Sequence, residues 1–562
     1  MKAYDAIADA IAAEGTEVVF GVLGDGNMYF MPRLVDHHGV RFVSARHEAA
    51  AVSMADGYFR ATGRPGICTV THGPGLTQTG TPLTAARLNR SGVLLIAGDT
   101  PPAFRHHGQN IDQQPFAMAT AGAFQPARSP VTLAEDIQLA WRHVRLGHGP
   151  IVFNVAIDLQ RSELPDDWRY TPSSTVVAPT QARPPEPAAL ERVAELLRRA
   201  ERPVIVAGRG AVRADAREAL IALADSTGAL LSTTLLAKGW FAGHPYDLGI
   251  AGGFSHPVAM EALAQADLVL AFGASLNLFT VSHGTLFPRA QVVQVEVDPG
   301  AVGHTTAVDV ALLGDARLVA EGLLAAVGSD AGSGADPGST RAGASRGLRS
   351  PELAARLDGY DPLAEEERDP VVPGDGADPR DIARVCDELL PRGRVVLVGI
   401  GHYSGYQAMY VGVDHPDDLI LPWQLGSVGL GLPTALGAAV ARPDQTVVVF
   451  EGDGGLMMSL QELETAARCK IPLLVIVLDD AAYGAESHMM RRHGLDPSLS
   501  FFDNPDFPAV ARSLGLRAWN AETADELRVA LGEALPLQGP SLIRVNLSRS
   551  VVHHQVFKAL TG

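Results

Sequence analysis

Cysteine, aromatic residues and positive charge are all scarce in this chain of 562 residues. The three cysteines, Cys68, Cys386 and Cys469, cannot build a disulfide framework, and none lies in a Cys-x-x-Cys pair. Aromatic residues make up 6% of the chain, and 45 basic residues stand against 63 acidic ones, for a formal net charge of −18. This balance argues against nucleic acid and anionic membranes as partners.

Long hydrophobic runs are also missing, so the sequence predicts no transmembrane helix. The opening stretch MKAYDAIADAIAAEG is typical of an amphipathic helix rather than of a signal peptide. We therefore expect a cytoplasmic protein.

Small and aliphatic residues, in contrast, are abundant: hydrophobic residues make up 46% of the chain, and 58 residues are glycine. Such a composition is typical of packed α/β layers, and the length is too great for one core. Apolar strands alternate with helices in three regions, which predicts three doubly wound α/β domains with parallel sheets. We expect an N-terminal domain at 1–170, a central Rossmann-like domain at 185–327, a flexible linker at 328–374 and a C-terminal domain at 375–562.

The first and third regions resemble each other. HEAAAVSMADGYFRATGRPGICTVTHGPG and GSVGLGLPTALGAAVARPDQTVVVFEGDGG both contain a small-residue helix, Arg-Pro, a strand and a glycine loop. This similarity indicates two copies of one α/β fold on either side of the middle domain. A cleft between two related domains is a natural place for a ligand.

Polar residues follow two neighbouring strands of the third region. The strand QTVVVFE runs into Gly-Asp-Gly-Gly (452–455), and IPLLVIVL runs into Asp479 and Asp480 one helix later. The ends of adjacent parallel strands meet at one sheet edge, where a helix start offers free N–H groups to a phosphate. A carboxylate there suits Mg²⁺ bound with phosphate oxygens, although Gly-Asp-Gly alone is also a common turn.

Asp453, followed 27 positions later by Asp480, resembles the signature of thiamine-diphosphate-dependent enzymes, which is Gly-Asp-Gly, some two dozen residues and then Asn-Asn. The resemblance implies that Mg²⁺ is held by the side chains of Asp453 and Asp480 and by the carbonyl of Ala482. Asp479 is then a neighbour that does not bind the metal. Asp-Asp stands where Asn-Asn is usual, which adds one negative charge to the site.

The resemblance covers nearly the whole chain and is closest to the acetolactate synthase-like group, which includes benzaldehyde lyase. VSARHEAAAVSMADGYFRATGRPG matches the stretch that carries the cofactor-activating glutamate, so Glu48 takes that position. The resemblance implies that Glu48 hydrogen-bonds N1′ of the aminopyrimidine and favours its imino tautomer. Outside this context, a glutamate at a helix start would only complement the helix dipole. His47 is expected to be a structural neighbour.

Other stretches match the parts of the family that hold the cofactor. QLGSVGLGLPTALGAAV implies that the Gly426 carbonyl and the Val428 amide bind the aminopyrimidine, with Val428 supporting the cofactor where Met or Leu is usual. VGIGHYSG aligns with the loop that grips the diphosphate, which makes His402 and Tyr403 candidates. The remaining cofactor-binding candidates are Gly452, Asp453, Gly454, Gly455, Asp480 and Tyr483.

The substrate-side candidates lie in the first region. NIDQQPF resembles a stretch that supplies a glutamine to the active site, which makes Gln113 the candidate. His72 in THGPG follows a strand and can act as an acid or base, and Asn27 lies in a loop that is near the cofactor in relatives. His106 and His107 could reach the same cavity, although a place in a surface loop is the commoner interpretation of such histidines.

The central region departs from acetolactate synthases, which bind FAD through an Arg-Phe-Asp-Asp-Arg stretch. The matching FGASLNLFT (272–280) lacks both arginines and both acids, which argues against FAD without excluding it. The resemblance also implies a homodimer or homotetramer in which Glu48 and Asp453 serve one cofactor from different chains.

Together these features predict a carboligase or decarboxylase, dependent on thiamine diphosphate and Mg²⁺, that acts on a 2-oxo acid. Two alternatives remain open. One is a benzaldehyde lyase-like enzyme acting on hydroxy ketones, and the other is a non-catalytic relative that only binds a nucleotide or partner. The simultaneous presence of Glu48, Asp453 and Asp480 argues against the second alternative.

Overall fold

A computed structural model describes residues 1–104, 106–176, 181–329, 347–361, 363, 372 and 374–553. Its strands form three parallel six-stranded sheets connected by helices. The predicted fold class, three doubly wound α/β domains, is therefore confirmed. No helix of the described residues combines the length and the apolar character that crossing a membrane requires.

The N-terminal sheet has the strand order β2-β1-β3-β4-β6-β5. Its strands are β1 (Val18–Gly21), β2 (Arg41–Ser44), β3 (Gly66–Val70), β4 (Val93–Asp99), β5 (Phe124–Pro126) and β6 (Ile151–Ala156). Its helices are α1 (Ala3–Ala13), α2 (Glu48–Thr62), α3 (Pro74–Thr77), α4 (Gly80–Leu88), α5 (Gln113–Thr120), α6 (Leu133–Arg145), α7 (Ile157–Arg161) and α8 (Ser173–Val176), with a π-helical turn at Arg33–His37.

The central sheet has the order β12-β11-β10-β7-β8-β9. Its strands are β7 (Pro203–Ala207), β8 (Leu230–Thr233), β9 (Asp247–Ile250), β10 (Leu268–Phe272), β11 (Gln291–Glu296) and β12 (Val310–Leu313). Its helices are α9 (Pro187–Arg199), α10 (Arg209–Arg213), α11 (Arg217–Thr227), α12 (Pro257–Leu263) and α13 (Ala316–Ser329), and α14 (Pro351–Asp358) follows. Short 3₁₀ turns lie at Leu235–Ala237, Ser282–Gly284 and Pro299–Ala301.

The C-terminal sheet has the order β14-β13-β15-β16-β18-β17. Its strands are β13 (Val395–Val398), β14 (Leu419–Ile420), β15 (Val447–Gly452), β16 (Leu474–Asp479), β17 (Arg517–Ala521) and β18 (Ser541–Asn546). Its helices are α15 (Pro379–Leu389), α16 (Ser404–Tyr410), α17 (Gly431–Ala441), α18 (Asp453–Ser459), α19 (Glu462–Arg468), α20 (Gly484–Arg492), α21 (Phe507–Ser513) and α22 (Ala524–Ala534), with 3₁₀ turns at Pro416–Asp418 and Pro497–Ser500.

The first and third sheets repeat one topology. Numbered from its own first strand, each sheet has the order 2-1-3-4-6-5, whereas the central sheet has the order 6-5-4-1-2-3. The predicted pair of related folds around a different middle domain is thus confirmed. The order of the middle sheet is that of a Rossmann-like sheet. Its strands are parallel, and the order in which they follow along the chain changes direction between β7 and β10.

The chain divides into two compact units. One comprises Met1–Pro179, Val371–Ser404 and Ile420–Arg549, and therefore contains both the first and the third sheet. The other comprises Thr180–Pro370, Gly405–Leu419 and Ser550–Gly562. Within the first unit, one hydrophobic core joins residues of β1 and β3 to residues of β13, β15 and β16.

Helices α2 and α17 pack at backbone distance inside that core. A Cβ atom added to Gly57 of α2 would lie 2.0 Å from the carbonyl oxygen of Thr434. One added to Gly437 of α17 would lie 1.9 Å from the carbonyl oxygen of Met54. These two glycines allow a closer approach than any other residue would, and they fix α2, which begins at Glu48, against the third sheet's α17.

The predicted flexible linker at 328–374 is only partly within the described residues. The described part contains α14 and is attached to the middle domain. Ser350 caps α14 by accepting from the Leu353 amide, and Arg349 donates to Asp225 at 2.7 Å. Residues 330–346, 362, 364–371 and 373 lie outside the described residues.

Candidate active site

The two acidic strand ends meet at one edge of the C-terminal sheet. β15 and β16 are adjacent and parallel, with Gly452 opposite Leu478, so Asp453 and Asp480 leave the sheet side by side. Both strands are buried along their whole length, as their Val, Ile and Leu content predicts for a covered parallel sheet. Asp453 is the first residue of α18, with its carboxylate at the positive end of that helix.

Asp453 and Asp480 are both buried, at 2% and 5% exposure. Burial raises the pKa of Asp453 above its usual value, although the Asn504 amide, which donates to Asp453 Oδ2 at 2.6 Å, opposes this shift. Burial, followed by the negative charge of Asp453, raises the pKa of Asp480. Two carboxylic acids that interact in a dry pocket resist ionising together unless a cation joins them.

Asp479 has a different role from its neighbour. Its Oδ2 accepts from Arg544 Nε at 2.7 Å, and its Oδ1 accepts from the Asn504 side chain at 2.7 Å. Arg544 therefore neutralises Asp479. Asn504 also joins Asp479 to Asp453, so all three acids lie together, and the choice of Asp480 as the metal ligand stays a prediction.

The chain turns sharply after Asp480. Ala481 adopts a left-handed conformation with φ of 48°, and the Ala482 amide donates to Asp480 Oδ1 at 3.2 Å. A Cβ on Gly484 would lie 2.3 Å from His402 Nδ1 and 2.5 Å from Asp480 Oδ2. The absent side chain at Gly484 thus leaves room for the His402 ring beside the carboxylate.

His402 and Tyr403, both predicted to hold a diphosphate, differ in what they offer. The imidazole of His402 lies 3.7 Å from Asp480 through Nδ1, and its buried Nε2 has no hydrogen-bond partner among the described residues. Burial and the nearby His488 ring lower the pKa of His402 to about 3, so the imidazole is neutral. The Tyr403 hydroxyl is engaged already, since it accepts from the Gly452 amide at 2.7 Å.

A buried glutamate that the sequence reading missed supports this loop from below. Glu451 is fully buried, and burial raises its pKa to about 7. Its Oε2 accepts from the Leu432 amide at 3.0 Å. A Cβ on Gly455 would lie 2.3 Å from Glu451 Oε1, and a Cβ on Gly454 would lie 2.9 Å from the Tyr483 ring. Close packing against Tyr483 and Glu451 therefore requires glycine at positions 454 and 455, whatever their role toward a ligand.

The loop predicted to hold the aminopyrimidine presents its residues at the surface of this unit. Gly426 is exposed with φ of 72°, and Val428 is half-buried. A Cβ on the neighbouring Gly429 would lie 2.7 Å from Met458 Cβ, which ties the loop to α18. Trp423 Nε1 donates to the Val398 carbonyl at 2.8 Å and anchors the start of the loop.

Glu48 lies at the carboxyl end of the N-terminal sheet, just after β2. It is the first residue of α2 and is half-buried, and His47 caps the helix by accepting from the Ala49 amide at 3.1 Å. The loop before it is held by Glu462, a buried residue of α19 that accepts from the Arg46 amide at 3.1 Å. Burial raises the pKa of Glu462 to about 7. The sequence gives no sign of this contact, because its partners are 416 positions apart.

Asn27, His72 and Gln113 come together at the same sheet edge. Asn27 accepts from the Gly24 amide at 2.8 Å and donates to Thr69 Oγ1 at 3.2 Å, so it shapes its loop. Gln113 accepts from the Gly73 amide at 2.9 Å. It also donates to the Gly98 carbonyl at 2.8 Å and to Asn154 at 2.7 Å.

Of these three side chains, His72 alone keeps a buried polar atom, Nε2, without a hydrogen-bond partner among the described residues. The amide of Gln113 is fully engaged within the domain. A direct role of Gln113 toward the substrate stays a prediction.

The two central strands of the middle sheet, β7 and β10, end in close backbone contact. The Gly208 amide donates to the Phe272 carbonyl at 2.8 Å, across the point where the strand order reverses. A Cβ on Gly208 would lie 2.3 Å from the carbonyl oxygen of Gly273. The two strand ends therefore leave no room for a side chain, and glycine is needed at position 208.

The strand-end residues fit a divalent cation bound with a diphosphate. Asp453, Asp480 and the carbonyl of Ala482 form an all-oxygen donor set, which suits Mg²⁺. His402 with Nε2 protonated offers a buried donor for a phosphate oxygen. The helix start at Asp453 provides further N–H groups beside it.

Three family models match the chain. They are described as the thiamine pyrophosphate enzyme N-terminal TPP binding domain over residues 1–119, the central domain over 190–323 and the C-terminal TPP binding domain over 399–545.

Curated relatives match over nearly the full length. A probable acetolactate synthase large subunit of Methanococcus aeolicus is 27% identical over 97% of this chain and 91% of its own. Acetolactate synthase isozyme 2 large subunit of Escherichia coli is 28% identical over 96% of this chain and 94% of its own. Sulfoacetaldehyde acetyltransferase of Alcaligenes xylosoxydans is also 28% identical, over 96% of this chain and 91% of its own.

Proposed function

The chain belongs to the thiamine pyrophosphate enzymes, and from this premise we propose that it uses Mg²⁺ and thiamine diphosphate to form or cleave a carbon–carbon bond beside the carbonyl group of a 2-oxo acid. It is an enzyme of the acetolactate synthase-like group. When bound, thiamine diphosphate supplies the electron sink for such a reaction, and the protein supplies binding, orientation and proton transfer.

Asp453, Asp480 and the Ala482 carbonyl hold the Mg²⁺ in this proposal. Burial is the main reason that the pKa of both carboxyls is raised, and a divalent cation offsets this cost, so both bind it in ionised form. The amides of Gly454 and Gly455 and the Nε2 of His402 face the diphosphate, and Tyr483 packs against Gly454. Tyr403 acts indirectly, because its hydroxyl fixes Gly452 at the start of the loop.

Glu48 and the Gly426–Val428 loop serve the aminopyrimidine. Glu48 would hold or move a proton at N1′, the Gly426 carbonyl would accept from the 4′-amino group, and the Val428 side chain would support the cofactor. We propose that two chains share each cofactor, with Glu48 from one and Asp453 from the other. The active form is then a homodimer at least, and a homotetramer if dimers pair.

His72 and Asn27 shape the substrate side. His72 is buried at 1% exposure and burial lowers its pKa, so it presents a neutral imidazole that can donate to a substrate carbonyl. Asn27 and Gln113 hold the loops around it. FAD has little support, since FGASLNLFT lacks the arginines and acids of the family's flavin stretch. The three free cysteines suit a reducing cytoplasm.

The observation that carries this proposal is the buried Asp453–Asp480 pair beside the unpartnered Nε2 of His402. The cofactor is tested by titrating the apo-protein with thiamine diphosphate, with and without Mg²⁺, while following circular dichroism. We expect saturable binding that requires the metal. Asp480→Ala should lose it, whereas a matched exposed change, Asp496→Ala, should not.

The reaction is tested by a product screen on the loaded protein. Pyruvate, longer 2-oxo acids, benzoylformate, sulfoacetaldehyde with pyruvate, and acyloins are supplied separately, and products are identified by chiral chromatography. Turnover of a 2-oxo acid supports the proposal. Turnover of acyloins alone would instead favour the benzaldehyde lyase-like alternative. Cofactor binding without turnover of any of these compounds would refute both.

A further inference from the structure

Three side chains with metal-binding atoms converge at the carboxyl edge of the N-terminal sheet. Asp25 lies in the loop after β1, His72 follows β3 and His107 lies in the loop after β4, and these strands are neighbours in the sheet. One ligand atom from each lies within 4.8 Å of the other two. The sequence reading interpreted His107 as a surface histidine and did not single out Asp25.

His72 is the fixed member of this cluster. Its side chain is 1% exposed, and a Cβ on Gly26 would lie 2.9 Å from its Nδ1, so the ring is held between loops. Its Nε2 has no hydrogen-bond partner among the described residues. The ring lies nearest to Asp25 through Nδ1, so Nδ1 faces the cluster while Nε2 stays available to a substrate oxygen.

The other two members are exposed and can adjust. His107 Nδ1 accepts from the Gln109 amide at 3.2 Å, and its ring centre lies 5.4 Å from that of His72. Binding a metal through Nε2 requires the tautomer with Nδ1 protonated, so the ring gives up this exposed contact when it becomes a ligand. Asp25 Oδ1 accepts from Thr71 Oγ1 at 2.9 Å and lies 3.8 Å from His72 Nδ1. The Asp25 side chain is 48% exposed.

We propose that Asp25, His72 and His107 form a binding site for a divalent transition-metal ion of the Zn²⁺ class. Two imidazoles and one carboxylate suit Zn²⁺ or Co²⁺, whereas Mg²⁺ prefers oxygen ligands alone. Ligands about 2.0–2.1 Å from a tetrahedral ion lie about 3.3 Å apart, so the exposed side chains need to move by about 1 Å. Three protein ligands leave a fourth position open to water or a substrate oxygen.

This site is chemically separate from the proposed Mg²⁺ site and does not depend on it. It lies on the N-terminal sheet, built from nitrogen and oxygen donors, whereas Asp453 and Asp480 lie on the C-terminal sheet.

The test uses the full-length protein saturated with Mg²⁺ and thiamine diphosphate and titrated with Co²⁺. We expect one equivalent per chain, with the visible absorption of tetrahedral Co²⁺, and competition by Zn²⁺. His107→Ala and Asp25→Asn should each weaken binding roughly tenfold or more. His106→Ala is the matched control, because it removes an adjacent exposed histidine outside the cluster, and it should bind normally.

Two results would overturn the inference. One is the absence of stoichiometric Co²⁺ binding to the unaltered protein. The other is equal binding by the unaltered protein, His107→Ala and Asp25→Asn, since the ion would then lie elsewhere. Circular dichroism of each variant confirms that the fold is intact, and both altered residues are exposed, so misfolding does not obscure the comparison.

Discussion

Replacing Gly57 by alanine tests the crossing of α2 and α17, because it adds one methyl group where two helix backbones meet. The new Cβ would lie 2.0 Å from the Thr434 carbonyl oxygen and 2.8 Å from its carbonyl carbon. Neither atom can rotate away as a side chain would. Relief of the contact requires the helices to separate by about 1 Å or more.

The size of the effect follows from two opposing contributions. In an unhindered helix, changing glycine to alanine stabilises by about 1 kcal/mol. Overpacking a core costs about 1–3 kcal/mol, and the upper end applies here because the contact is with backbone. The free energy of unfolding should therefore fall by about 1–2 kcal/mol. Because Glu48 begins α2, we also expect weaker cofactor binding.

Gly532→Ala is the matched control. Gly532 lies inside α22, and a Cβ there would meet nothing within 4 Å. This variant should gain about 1 kcal/mol from helix propensity alone. Urea unfolding of the apo-protein, followed by far-ultraviolet circular dichroism, measures both variants. If Gly57→Ala were as stable as Gly532→Ala, the steric argument would be refuted.

Two further predictions concern buried acids. Glu48→Gln should retain thiamine diphosphate, measured by circular dichroism, but lose most turnover because the amide cannot take up the proton at N1′; unchanged rates would contradict its assigned role. Glu462→Gln should flatten the dependence of stability on pH. The folded pKa of Glu462 is about 7 against an ordinary 4.5, so its contribution is fully present below pH 4.5 and declines as the pH rises through 7. Between pH 4.5 and 8 the unaltered protein should therefore lose up to about 3 kcal/mol more than the variant, and equal pH profiles in urea unfolding would count against this assignment.

The sequence predicts most of the fold because its signals are local. Apolar strands between helices predict parallel sheets, and the similarity of two stretches predicts the repeated strand order that the first and third sheets share. The pairing of Asp453 with Asp480 is predictable for the same reason, since one helix joins two adjacent parallel strands.

The supporting contacts are not local and were missed. Glu462 meets Arg46 across 416 positions, and Arg544 neutralises Asp479 across 65. No periodicity or motif links such partners, because only the packed fold brings them together. The sequence also does not show whether a polar side chain is available to bind a ligand. It makes Tyr403 and Gln113 candidates, but only the structure shows that both already take part in hydrogen bonds within the protein.

The contact of Glu462 with the Arg46 loop has a consequence for communication between sites. α18 begins at Asp453 and ends at Ser459. Two residues separate it from α19, which begins at Glu462, and the Glu462 carboxylate holds the loop before Glu48. In the proposed two-chain arrangement, Asp453 and Glu48 of one chain serve different cofactors. The segment from Asp453 to Glu462 then connects two active sites directly. Ordering of the metal loop at one site would be transmitted mechanically to the glutamate of the other, so the two cofactors should bind cooperatively.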